Sequence, residues 1–176
     1  MMTSDDVREV LDHLEAAGIP VWLDGGWGVD ALVGRQSRPH DDLDLVIPRE
    51  QLSRAQELLT QLGFQHAANI TPGLPARLVL RAPNDRQIDF HPVAFDTAGN
   101  GQQELGDGTW GTYPAGGLIG SGQVAGRGVR CITAELQLRH HLGYEPGADD
   151  RHDMRLLSEH YGLTLPPPYS QPAPKA

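Results

Sequence analysis

Asp42-x-Asp44 is the pattern in this 176-residue chain that most directly suggests chemistry. Residues i and i+2 of a strand point to one face, so the two carboxylates project together. Carboxylates held close repel unless a cation lies between them. Mg²⁺ suits that place, because it is bound by one or two carboxylates together with substrate phosphates. By itself the pair is as readily a solvated strand end or a helix cap. Ile88-Asp89-Phe90-His91 repeats the alternation and puts Asp89 and His91 on one face. A carboxylate inside an apolar strand is costly unless paired or metal-bound. If the two strands are neighbours, three carboxylates meet on one edge, as two-metal phosphoryl or nucleotidyl transfer requires. His91 reads as a rim or core histidine.

Gly25-Gly26 lies between a strand and a helix, where backbone N–H groups can approach an anion at a helix N-terminus. The same pair also suits an ordinary tight turn. Arg38 is either a surface arginine or a bidentate phosphate contact. Asp149, Asp150 and Asp153 suit the first turn of a helix. His140-His141 lacks a further ligand at zinc spacing.

The elements that must position these groups follow from periodicity. Residues 4–17 form an amphipathic helix on Val7, Val10, Leu11 and Leu14, capped by Ser4 or Asp5 and ended by Gly18. A short strand covers 19–24, and a helix runs from Trp27 to Val33 with Gly34 behind it. Residues 42–47 make a strand with one wet end. A second amphipathic helix opens at Pro48 and stops at Gly63. Strands at 76–82 and 86–95 flank Pro83-Asn84-Asp85, good turn chemistry for a hairpin. The glycine-rich stretch 97–128 reads as irregular loops and short hairpins. Helices return at 133–142 and 149–161. The expected fold class is α+β, a mixed sheet with flanking helices and a short C-terminal helical segment. The expected organisation is one domain over 1–165: a core at 4–95, an acceptor-side glycine-rich region at 96–130 and helices at 131–163. A proline-rich tail, 166–176, is expected to be disordered.

Composition narrows the partners. There are 23 acidic against 14 basic side chains, a formal net charge of −9, and the single lysine is Lys175. An extended nucleic-acid face needs clustered Lys and Arg, so that partner class is disfavoured. No run approaches the 18 or so apolar residues of a membrane span. The acidic start lacks the apolar stretch of a secretory signal. The lone Cys131 cannot make an internal disulfide, which fits a reducing, cytoplasmic setting.

Taken in order, Gly25-Gly26-Trp27-Gly28-Val29-Asp30, Arg38-Pro39-His40-Asp41-Asp42-Leu43-Asp44-Leu45 and Ile88-Asp89-Phe90-His91 resemble the small antibiotic nucleotidyltransferases. These are the aminoglycoside adenylyltransferase and lincosamide nucleotidyltransferase group of the DNA polymerase β-like superfamily. The resemblance is densest over 20–47, recurs at 86–93 and covers 131–160 more loosely. It implies the nucleotidyltransferase fold and transfer of AMP from ATP, with two Mg²⁺ ions, to a hydroxyl of a small antibiotic-like acceptor. It also implies that Asp42, Asp44 and Asp89 hold the metals and that Gly25 and Gly26 contact the triphosphate, while Arg38 matches the family's local pattern either as a phosphate contact or as a brace for the turn and loop. The same resemblance implies that Asp89 completes the catalytic metal site and acts as or positions the base. The rival readings are transfer to a protein or tRNA, as in toxin-like members, and a non-catalytic nucleotide-binding module on the same fold. The last would need the carboxylates paired with arginines such as Arg35, Arg38 or Arg86.

Overall fold

Apolar spacing sets the first helix, α1 (Ser4–Ala16), whose Val7, Val10, Leu11 and Leu14 are all buried. Thr3 caps it, one residue ahead of the expected cap. Its hydroxyl accepts from the Asp6 N–H while the Asp6 carboxylate accepts from the Thr3 N–H. The computed structural model describes residues 1–68, 70–71 and 73–170. Strand β1 is only Trp22–Leu23, and α2 spans Gly25–Val33, so Gly25 and Gly26 form the first turn of a helix expected to begin at Trp27. Strand β2 is Leu43–Pro48, placing Asp42 just before it. Helix α3 (Leu52–Leu59) is flanked by 3₁₀ turns at Arg49–Gln51 and Thr60–Leu62.

A short β3 (Gln65–His66) leads to the hairpin of β4 (Leu78–Ala82) and β5 (Arg86–Phe95). At its turn Asn84 and Asp85 have φ of 64° and 56°. That left-handed pair closes the three-residue loop Pro83–Asp85 between Ala82 and Arg86. The glycine-rich stretch is more regular than expected. It supplies β6 (Gly101–Glu104), β7 (Trp110–Tyr113), β8 (Gly120–Val124) and β9 (Arg127–Cys131). Helices α4 (Ala134–His140) and α5 (Ala148–Tyr161) follow.

The principal sheet runs β3-β4-β5-β2-β1-β9-β8, with β6 and β7 continuing from β5. Neighbours β2 and β5 are parallel, as are β1 and β9, and the other pairs are antiparallel. The class is therefore α+β with a mixed sheet, as expected. Within residues 96–130, β8 and β9 extend the sheet beside β1, and β6–β7 brings Gln103, Gly111 and Tyr113 to the cleft that Asp44 borders. Helix α2 lies so close to β8 that a side chain at Gly122 would overlap the Ala31 carbonyl. Close helix–strand approach thus explains a glycine that reads from sequence as loop punctuation.

The pleat sorts the strands into two faces. Leu43, Leu45, Ile47, Ile88 and Phe90 are fully buried in the main core with α1 and α3. Each contributes roughly 1.5–3 kcal/mol on leaving water. Val46 and Val93 pack on the opposite face with Tyr113, Leu118, Ile132 and Leu136. The carboxylates lie on that second face. Part of the expected disordered tail is ordered: Tyr169 is buried, its hydroxyl donates to the His141 carbonyl at 2.6 Å, and Arg151 donates to the Pro168 carbonyl at 2.9 Å. The remainder, 171–176, lies outside the described residues.

Candidate active site

The parallel register of β2 and β5 sets Asp44 directly beside Asp89. Asp42, two residues before Asp44, turns to the same face. One carboxylate oxygen from each of the three lies within 4.8 Å of the others. Sequence alternation alone places them here, given that the two strands are neighbours. The structure makes them so.

The cluster is electrostatically unfinished. Asp89 is 3% exposed and receives a guanidinium contact from Arg77 Nη1 at 3.2 Å. Gln87 Nε2 donates to Asp89 at 3.1 Å and, more weakly, to Asp42 at 3.5 Å. Burial first, then the Asp44, Asp89 and Asp41 charges, push Asp42 up to about 6. Burial and Asp44 also raise Asp89, and Arg77 only partly opposes them. Of the arginines that could have neutralised the trio, Arg86 goes to Asp6 and Glu9. Arg38 goes to α5. Three carboxylates around one guanidinium leave room for a hard, oxygen-loving divalent cation, and the donor set fits one.

Arg38, read from sequence as a phosphate contact or a brace for the loop, engages α5. Its Nε and Nη2 form a bidentate pair with buried Asp153 at 3.0 and 2.7 Å, and Nη1 reaches the Pro39 carbonyl and Asp149. These bonds brace the loop before β2 against α5, and Nη2 lies beside Gly26. Short-range sequence cannot show this, because Asp153 is 115 residues away.

Gly25 stands between the carboxylates and α2. Its φ is +56°, and a Cβ there would overlap Asp44 Oδ2. Glycine is required on both counts. Gly26 turns its Cα toward His40 and Arg38, so what it can offer a ligand is backbone N–H. Asp24, N-cap of α2, accepts from the Gly25 N–H at 2.8 Å, and its own N–H donates to the Asp44 carbonyl at 3.0 Å. These bonds fix the helix start against the strand that carries the pair.

Sequence reasoning gives His91 no catalytic part and passes over Gln103, Tyr113, Arg77 and Asp24. His91 Nε2 lies 3.1 Å from Asp44 Oδ1, and Gln103 Nε2 lies 3.3 Å from its Nδ1. Gln103 also donates to the Ala76 carbonyl at 2.8 Å and accepts from the Tyr113 hydroxyl at 3.0 Å. This network assigns the tautomer: Nδ1 accepts, and Nε2–H donates to Asp44. Burial opposes a charge on His91, yet the bond to Asp44 and the fields of Asp24 and Asp89 prevail and raise its pKa. The one signal in the sequence is Asp89-x-His91 on a single strand face. Gln103 and Tyr113 sit in a hairpin that periodicity does not reveal.

From Asp24, Gly25 and Asp44 a cleft of about 520 Å³ opens past His91, Gln103 and Tyr113 to Arg139–Leu142 at the end of α4. That volume is in the range of small-molecule sites.

The family model described as aminoglycoside-2''-adenylyltransferase matches residues 6–157. The chain is 29% identical to a lincosamide resistance protein of Staphylococcus haemolyticus, over 89% of this chain and 94% of that one. It is 28% identical to a 2''-aminoglycoside nucleotidyltransferase of Klebsiella pneumoniae, over 78% and 72% of the two chains. Among solved structures it is similar to the lincosamide antibiotic adenylyltransferase LnuA with lincomycin bound, at a TM-score of 0.78 and 27% identity. That match covers 89% of this chain and 97% of LnuA. A complex of ANT(2'')-Ia with adenylyl-2''-tobramycin shares the fold, at a TM-score of 0.70 and 22% identity over 90% and 89% of the two chains.

Proposed function

The chain belongs to the aminoglycoside-2''-adenylyltransferase family, and on that premise we propose that it is a Mg²⁺-dependent adenylyltransferase acting on a hydroxyl of a lincosamide- or aminoglycoside-type antibiotic. That it is a nucleotidyltransferase follows from the family. The observation that carries the finer reading is the convergence of Asp42, Asp44 and Asp89 with too little protein cation to neutralise them.

Asp42 and Asp44 would hold Mg²⁺, and Asp89 would complete the set of oxygen ligands. When bound, the metal offsets phosphate charge and the charge that develops on the leaving group. The chain's own residues position the reactants. Gly26 offers its backbone N–H at the positive end of α2 to the triphosphate, and Gly25, whose own N–H is held by Asp24, lets the phosphates approach because it has no side chain. The acceptor oxygen bonds to the α-phosphorus as the α–β bridging P–O bond breaks. Pyrophosphate leaves, and the hydroxyl proton passes to Asp89 or to a water that Asp89 holds. His91 keeps Asp44 in one rotamer, supported by Gln103 and Tyr113.

A cytoplasmic location fits the buried, unpaired Cys131. Among the described residues no helix is long and apolar enough to cross a membrane. The direct test follows pyrophosphate release and acceptor mass gain with ATP, Mg²⁺ and a panel of antibiotics. Adenylylated product that requires Mg²⁺ is expected. ATP binding without transfer to any acceptor would favour a nucleotide-binding module instead.

A further inference from the structure

Each carboxylate oxygen of Asp89 already has a protein partner. Gln87 Nε2 donates to Oδ1 at 3.1 Å, and Arg77 Nη1 lies 3.2 Å from Oδ2. Arg77 stands two residues ahead of Val79, the β4 residue opposite Asp89, so the pleat turns it to the carboxylate face. A buried carboxylate beside Asp42 and Asp44 needs such a counter-charge. A divalent cation held by Asp89 would meet the same need with twice the charge. Cation and guanidinium would then repel across one carboxylate, where little water screens them.

Arg77 is placed to give way. Its contact with Asp89 runs through Nη1, while the buried Nε has no hydrogen-bond partner among the described residues. The fork does not close as that of Arg38 closes on Asp153 through Nε and Nη2. The Arg77 side chain is 32% exposed and borders the same cleft as Gly25 and Asp44. Released from Asp89, the guanidinium remains beside the glycine turn where the triphosphate is proposed to lie. Paired N–H groups in a rigid fork suit phosphate oxygens.

We infer that Arg77 is an exchangeable counter-ion: it neutralises Asp89 in the metal-free protein, yields that carboxylate to the divalent cation, and passes to the phosphates of the nucleotide. The inference rests on the nucleotidyl-transfer reading above and adds a residue to it. Metal and Arg77 compete for Asp89, whereas nucleotide and Arg77 attract. Removing the guanidinium should therefore tighten metal binding and weaken nucleotide binding. A residue that only braced its loop would weaken both.

Mn²⁺, a hard ion that takes the same oxygen ligands as Mg²⁺, serves as the probe, its free form measured by paramagnetic resonance. Without nucleotide, Arg77→Gln should bind Mn²⁺ about tenfold tighter than wild type, with a correspondingly larger Mn²⁺-induced rise in Tm. At saturating Mg²⁺ the same variant should bind ATP about tenfold more weakly. Arg77→Lys keeps the charge and should return the Mn²⁺ affinity toward wild type. One measurement needs only the wild-type fold: the Arg77 Nε–H resonance, identified by its loss in Arg77→Lys, should shift with Mg²⁺ and again with ATP. Unchanged or looser Mn²⁺ binding by Arg77→Gln, or a resonance unmoved by Mg²⁺, means that Arg77 stays on Asp89 and overturns the exchange. Unchanged ATP binding overturns the passage to phosphate. In either case Mg²⁺-dependent adenylylation by the wild type would leave the proposed reaction standing. A wild type that binds neither Mn²⁺ nor ATP overturns both.

Discussion

Asp42→Asn should make the metal-free protein more stable while abolishing its metal-dependent response. Folding raises the Asp42 pKa from its ordinary 3.8 to about 6. A rise of that size corresponds to about 3 kcal/mol between the two protonation states. Geometry agrees: unit charges 4–5 Å apart at an effective dielectric near 20 repel by about 3–4 kcal/mol, and Arg77 offsets part of this through Asp89. A raised pKa means that the fold prefers the protonated form. The resulting stability is fully present below about pH 4 and is lost as pH rises through about 6. At pH 8 in EDTA the wild type therefore carries a penalty on the order of 2–3 kcal/mol that the Asp42→Asn variant lacks. For a chain of this length that is roughly 5–10 °C in Tm. Scanning fluorimetry at pH 8 and pH 4 measures it, with the difference between wild type and variant closing at the lower pH. Mg²⁺ with ATP should then raise the Tm of the wild type by mass action and leave the variant nearly unmoved. A variant less stable than wild type at pH 8 in EDTA would refute the reasoning, because it would mean that the Asp42 carboxylate is satisfied by the protein itself.

Asp89→Asn keeps size and removes charge, so ATP binding should survive while turnover, measured as pyrophosphate release, falls by at least about 10². Gly25→Ala forces a left-handed φ on a residue with a Cβ and drives that Cβ into Asp44. It should lower stability by more than about 1 kcal/mol in urea titration and weaken the Mg²⁺ dependence of ATP binding. Gln103→Leu removes the hydrogen-bond partner of His91 Nδ1, freeing Asp44. It should reduce kcat more than it raises KM for ATP, and Gln103→Asn should not restore it because the shorter side chain does not reach. Asp153→Ala leaves Arg38 without its buried partner and should destabilise by about 3–5 kcal/mol in equilibrium unfolding.

Local order carried much of this protein in its sequence. The i, i+2 spacing of Asp89 and His91 required only that both lie on a strand, and that of Asp42 and Asp44 held although Asp42 sits just before β2. Apolar periodicity located α1, α3, β4 and β5, and Asn84-Asp85 announced their hairpin, because these signals act over a turn or a pleat. Membership of the family was legible for the same reason: its motifs are short and ordered. Pairings across the chain were not legible. Register alone brought Asp44 beside Asp89, and Arg38 found Asp153, 115 residues away. The glycine-rich stretch completed the sheet through β9, which joins β1 at Leu23 and Cys131. The bond that holds Asp44 comes from His91, which is itself held by Gln103 and Tyr113 on a separate hairpin. Each of these depends on which strand lies beside which. That choice is made by burial of whole faces over long loops, and no local window of residues contains it.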